Sequence, residues 1–244
     1  MPALSAIIFD LDGTLIDSAP DIAAALSVGF AVNGWPELDP RHVERFTGNG
    51  PRRLITDLLD DLGISYDGDA VARAYRVYLQ AYLDDPAGQT EFYPHVFEDL
   101  QAMRAAGLRL GICTNKNNAV TARVLDQLGL SGFFDAAIGA DVVPASKPDP
   151  GHLMAVADAM GLEPGTWVYV GDTRVDQATA RAAGVPFYTT PQSRGVIPED
   201  HKYCYLTSRA AAFRDADKDI RRQRPFRPTR PAQQRFNPLH HQGI

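Results

Sequence analysis

The chain has 244 residues, 45% of them apolar, and a formal net charge of −6 at pH 7. That length suits one domain carrying an insertion or two modest domains, with enough apolar residues for a substantial core. No apolar run approaches the ~20 residues that span a bilayer, and the two cysteines, Cys113 and Cys204, form neither a disulfide framework nor a paired metal spacing.

The charge is unevenly spread. Residues 209–244 carry a net +6 and the remainder a net −12. An acidic body argues against nucleic acid as the main partner and suits carboxylates gathered around a metal. The opening MPALSAIIFD reads as a first strand rather than a secretory leader. The expectation is a cytoplasmic monomer or homodimer with no membrane segment.

Taken in order, β-type apolar runs occur at residues 3–9, 108–113, 136–138, 167–170 and 185–188. Helix-like stretches at 96–106, 118–128, 151–160 and 177–183 fall between them, and Gly107, Gly129, Gly161 and Gly184 punctuate their ends. Strands alternating with helices predict an α/β core with a mainly parallel sheet, which places ligands at the carboxyl ends of its strands. The interval from Pro20 to Gln89 breaks this rhythm. Its apolar residues recur at helical spacing over 22–32, 54–62 and 71–83. It reads as an all-helical insert, with Pro20 and DDPAGQ (84–89) as hinges. The expected division is core at 1–18 and 90–213, insert at 19–89, and a basic, proline-bearing, disordered tail at 214–244.

FDLDGTLIDS (9–18) sets Asp10, Asp12 and Asp17 just beyond the first strand. On extended backbone, residues i and i+2 face the same way, so Asp10 and Asp12 can address one ion, and Gly13 permits a sharp turn. Mg²⁺ fits such a site, because it takes oxygen ligands from few carboxylates and a substrate phosphate. A solvated Asp-Gly turn is the alternative. VYVGDTRVD (168–176) repeats the theme with Asp172 and Asp176; Asp176 also reads as a helix-start acid. In GICTNKN (111–117), Thr114 and Asn115 with nearby amides at a helix start suit an anion cradle, or an ordinary cap. Lys147 in SKPDP can neutralise phosphate charge or be a surface lysine.

Together these segments resemble the haloacid dehalogenase-like superfamily of phosphotransferases: FDLDGTLIDS, the Thr114 segment, Lys147 in KPDP, and GDTRVD, in that order. The resemblance implies a Rossmann-like core with an inserted helical cap, as in the phosphoglycolate phosphatase and β-phosphoglucomutase branch. TGNGPRRLI (47–55) and TNK (114–116) are similar to segments of the phosphoglycolate phosphatases. A loop resembling the family's after the fifth strand is less clear in PQSRG (191–195).

On that resemblance, Asp10 is the nucleophile forming an aspartyl-phosphate, and Asp12 is the general acid and base. Asp10, Asp12 (through its main-chain carbonyl) and Asp172 bind Mg²⁺. Thr114, Asn115 and Lys147 bind phosphate, and Asp176 supports the metal waters or Lys147. Asn49, Arg52 and Arg53 are candidates for a substrate carboxylate; the two arginines also read as exposed helix charges. The implied partner is a small phosphorylated metabolite, 2-phosphoglycolate first, with a phosphosugar phosphatase or mutase and a non-catalytic binding protein as alternatives.

Overall fold

A computed structural model describes residues 4–190 and Ser193. The expected tail at 214–244, Cys204 and the rest of PQSRG lie outside the described residues. Five parallel strands form one sheet in the order β5-β4-β1-β6-β7. The central strand is β1 (Ala6–Phe9), flanked by β4 (Arg109–Cys113) and β6 (Trp167–Gly171); β5 (Ala136–Ile138) and β7 (Phe187–Thr189) form the edges. Ile7 and Phe9 pack into one apolar layer, while Ala6 and Ile8 pack into the other. The first layer is completed by α5 (Val96–Ala105) and α6 (Asn118–Gln127), and the second by α7 (Pro150–Ala159) and α8 (Arg174–Ala183). The alternation of side chains along a strand therefore feeds two cores from one buried run.

Most element ends follow from local chemistry. The four glycines expected to stop helices all have positive φ. α7 begins before residue 151 because the Asp149 side chain caps it, accepting from the Gly151 amide. α8 begins at Arg174, not 177, because Thr173 and Asp176 form a reciprocal capping box. β7 starts after Pro186, which has no N–H to give a ladder, while the Val185 amide bonds to Ala180 at the end of α8.

Between β1 and β4 lie α1 (Ala19–Ala31), α2 (Pro40–Glu44), α3 (Pro51–Asp61) and α4 (Gly68–Asp84). α1 and α4 pack closely where Gly29 meets the Ala74 carbonyl; a Cβ on Gly29 would lie 2.5 Å from that oxygen. Three helices match the periodic stretches, and α2 is additional. At five residues it is too short to show a period, although Asp39 caps it and Pro40 opens it.

The two chain crossings pair as a short antiparallel ribbon, β2 (Ile16–Asp17) with β3 (Glu91–Phe92). Pro20 stands in the first turn of α1, just after the first crossing, where a missing N–H costs nothing. The crossings are tied by Asp21, a buried carboxylate that accepts from the Gln89 amide at 3.0 Å and the Thr90 hydroxyl at 2.6 Å. Replacing it leaves two donors without their acceptor. Asp21→Ala should lower unfolding free energy by about 1–3 kcal/mol in urea titration; an unchanged midpoint would contradict the tie.

Candidate active site

The three central strands, β4, β1 and β6, all end at one edge of the sheet, and each delivers a motif there. β1 runs into Asp10, which is buried and whose amide donates to Val170 at 2.8 Å. The chain then turns at Gly13, with φ +81°, where a Cβ would lie 2.3 Å from Asp172 Oδ2. Glycine is needed here both for the backbone angle and to let the β6 carboxylate approach. Thr14 donates its hydroxyl to Asp172 Oδ1 at 2.8 Å.

Carboxylate oxygens of Asp10, Asp172 and Asp176 lie within 4.8 Å of one another. They are not equivalent. Asp176 Oδ1 accepts from Lys147 and from the Tyr169 hydroxyl, both at 2.7 Å. Its Oδ2 accepts from the Thr173 amide at 3.0 Å and hydroxyl at 2.5 Å. Both oxygens of Asp176 are therefore engaged by protein donors. Asp10 Oδ1 is buried without a hydrogen bond; Lys147 Nζ stands 2.9 Å away as an ion pair. The oxygens left for a cation are those of Asp10 and Asp172, with Asp176 anchoring Lys147.

Electrostatics separate the roles further. Burial, then repulsion from Asp176, pushes Asp10 up to about 7, despite Lys147. Burial, then Asp176 and Asp10, holds Asp172 well above the usual carboxylate range. For Asp176, burial works upward but Lys147 and the hydrogen bonds outweigh it, and the group stays below its ordinary value. Burial works against the charge of Lys147, but Asp10 and Asp176 outweigh it and raise the ammonium. A divalent cation between Asp10 and Asp172 would relieve the two strained carboxylates directly, so the donor set fits a hard, oxygen-seeking ion. Nearby Cys113 is no nucleophile: burial pushes its thiol up to about 12.

Above this edge lies a half-open cleft lined by both the core and the helical insert. Its floor is Asp10, Asp12 and Thr114; its roof includes Thr47, Gly48 and Leu54. The roof loop sits close to the core. Gly48 and Gly50 both have positive φ, and a Cβ on Gly48 would lie 3.1 Å from Thr173 Cγ2. Asn115 Nδ2 donates to the Gly48 carbonyl at 2.9 Å and to the Lys147 carbonyl at 3.0 Å. The positive φ explains both glycines of TGNG, and the close approach to Thr173 adds a second reason at Gly48 alone.

Several expected roles shift. The Asp12 side chain, left outside the cluster of the other three acids, bonds Ser18 at 2.5 Å and Lys116 at 2.8 and 3.0 Å. Thr114 is buried at the cleft floor, but no helix begins beside it: α6 starts at Asn118 and is capped by Asn117. The Asn115 side chain is occupied as a tie between insert and core, so it is not free to donate to phosphate. Asn49 is exposed. Arg52 lies with its guanidinium 4.3 Å over the Tyr75 ring, and Arg53 pairs with Asp57 at 2.7 Å. Neither arginine lines the cleft; both follow the outer side of α3. Sequence reasoning quoted Lys116 within TNK but gave it no role, although it lies two residues from Thr114 on the same strand end. It also passed over Tyr169, whose hydroxyl sits at the centre of an otherwise apolar strand.

The model for haloacid dehalogenase-like hydrolases matches residues 7–190. A phosphoglycolate phosphatase of Cereibacter sphaeroides (strain ATCC 17029) is 41% identical over 181 residues, 74% of this chain and 82% of that protein. A crystal structure described as a predicted phosphoglycolate phosphatase from Haemophilus somnus superposes with a TM-score of 0.72 at 27% identity, covering 81% of this chain and 90% of that one. A Lactobacillus delbrueckii subsp. bulgaricus structure shares the fold, with a TM-score of 0.75 at 23% identity over 90% of this chain and 99% of that one. The chain belongs to the haloacid dehalogenase-like hydrolases, among relatives that include phosphoglycolate phosphatases.

Proposed function

We propose that the protein is a Mg²⁺-dependent phosphomonoester hydrolase that cleaves 2-phosphoglycolate through an aspartyl-phosphate on Asp10. One observation carries this reading: in a family of hydrolases, buried Asp10 pairs with Lys147 at the floor of a cleft, and the half-buried Asp172 carboxylate stands beside it within metal-sharing distance. The substrate choice is supported by the relatives named phosphoglycolate phosphatase. Residues 19–89 act as the cap over residues 4–18 and 90–190, with the β2–β3 ribbon as their joint. Among the described residues no helix is long and apolar enough to cross a membrane, and the free, buried Cys113 suits a reducing cytoplasm.

Asp10, Asp172 and the main-chain carbonyl of Asp12 would hold Mg²⁺, which supplies positive charge against the phosphoryl oxygens. Lys147 adds a second positive charge, fixed by Asp176 and Tyr169. In the first step an Asp10 oxygen bonds to phosphorus as the ester P–O bond breaks, and Asp12 gives its proton to the leaving alkoxide. In the second, Asp12 takes a proton from water, whose oxygen bonds to phosphorus and releases Asp10 and inorganic phosphate. Charge neutralisation dominates because nucleophile and ester are both anionic.

Purified protein should release phosphate from 2-phosphoglycolate only with Mg²⁺, and faster than from hexose phosphates; equal rates on both would contradict the substrate choice. Asp10→Asn should abolish release and leave the fold intact, as read by circular dichroism. Gly13→Ala should cut turnover at least about 100-fold, because the added methyl displaces Asp172 and a shift near 1 Å is worth that much.

The raised Asp10 also sets a pH dependence. Its penalty for ionising in the folded state is absent below about pH 4 and grows as pH rises toward about 7. A bound dication removes that penalty. The thermal stabilisation given by Mg²⁺ should therefore grow from pH 5 to pH 8 and vanish in Asp172→Asn; a shift independent of pH would contradict the assignment.

A further inference from the structure

Lys116 and Tyr82 stand outside the roles derived so far. Lys116 is buried, with a side chain only 3% exposed. Its ammonium donates to the carboxylate of Asp12, at 2.8 Å from Oδ1 and 3.0 Å from Oδ2, and to the Tyr82 hydroxyl at 2.6 Å. Nζ also lies 4.5 Å from the centre of the Tyr82 ring. Tyr82 is fully buried and belongs to α4 of the helical insert, whereas Asp12 and Lys116 belong to the core. The Ser18 hydroxyl, 2.5 Å from Asp12 Oδ1, completes the clamp at the start of the crossing.

Two readings of a buried lysine beside a cleft compete. It could await an anionic group on the substrate, or it could orient a neighbour. Lys116 lines the cleft, but every contact its ammonium makes is to the protein, both oxygens of Asp12 and the Tyr82 hydroxyl, and those contacts favour the orienting role. The chain of contacts runs from insert to core, Tyr82 to Lys116 to Asp12. Asn115 next door makes a parallel tie, from Gly48 of the insert to the Lys147 loop. Two consecutive residues after β4 thus each join the insert to one member of the catalytic group.

We propose that Lys116 is a positioning residue for Asp12, and that it takes its own place from Tyr82, so that the acid/base group is correctly aimed only when α4 is seated on the core. This rests on the phosphatase reading above. Asp12 Oδ2 has only the longer of the two lysine contacts, whereas Oδ1 also accepts from Ser18, so Oδ2 is the less engaged oxygen.

The test uses two phosphate esters with different leaving groups. An aryl phosphate leaves as a weak base and needs no proton in the first step, whereas 2-phosphoglycolate does. Both need Asp12 in the second step. In Lys116→Met, p-nitrophenyl phosphate with Mg²⁺ should give a rapid burst of about one nitrophenolate per enzyme and then a slow phase. Phosphate release from 2-phosphoglycolate should fall about 100-fold with no burst, the loss expected of a misplaced group. Tyr82→Phe, which keeps the ring and removes the hydroxyl, should show the same pattern more weakly. Asp12→Asn provides the reference signature. Equal loss on both esters without a burst, or unchanged kinetics in both variants, would overturn the proposal while wild-type turnover leaves the phosphatase reading standing. If Lys116→Met fails to fold, judged by its melting curve, Tyr82→Phe decides alone. Wild-type protein with no turnover on either ester would sink both readings.

Discussion

The fold is organised around a shortage of positive charge. Four carboxylates, those of Asp10, Asp12, Asp172 and Asp176, gather at one edge of the sheet and meet two ammonium groups, those of Lys116 and Lys147. Two negative charges are left over in a place where water is scarce. Burying an unmatched charge costs several kcal/mol, so either the carboxyls protonate or a cation joins them. The raised Asp10 and Asp172 are the signature of that choice. A divalent ion balances the count, and an incoming phosphate then meets a site that no longer repels it.

The lysines divide the acids into two groups. Lys147 is bound to Asp176 and Asp10 beneath the cleft, while Lys116 holds Asp12 apart at the cleft wall. That partition separates carboxylates suited to hold an ion from one suited to move protons. It also ties the chemistry to the helical insert, because the Gly48 carbonyl and the Tyr82 hydroxyl both reach residues between β4 and α6. The paired glycines at 48 and 50 allow the roof loop to lie close to the core. Bulkier residues there would hold the cleft open.

Much of this was legible in the sequence. Parallel strands reveal themselves as short apolar runs because both faces are buried, and Asp10 and Asp172 stand out because acids rarely follow such runs without a reason. The helices of the insert were visible through their periodicity. What stayed hidden depends on contacts between distant segments. The β2–β3 ribbon has two residues a side and no pattern of its own. Arg52 and Arg53 drew attention by charge, yet their direction is decided by Tyr75 on the neighbouring helix α4 and by Asp57 one turn along α3. Lys116 looks like any polar residue after a strand until Tyr82, more than thirty positions earlier in the chain, is brought against it. Asp176 carried two sequence readings, helix-start acid and catalytic support, and in the structure it is part of a capping box and also holds Lys147.

The most direct measurement is proton release on cation binding. Titrating Mg²⁺ into weakly buffered protein at about pH 6 should expel protons, because Asp10, pushed up to about 7, holds its proton there until the ion arrives, and release should shrink toward pH 9. Binding that expels no protons at pH 6, or no binding at any pH, would contradict the view that charge crowding at this sheet edge is what the ion resolves.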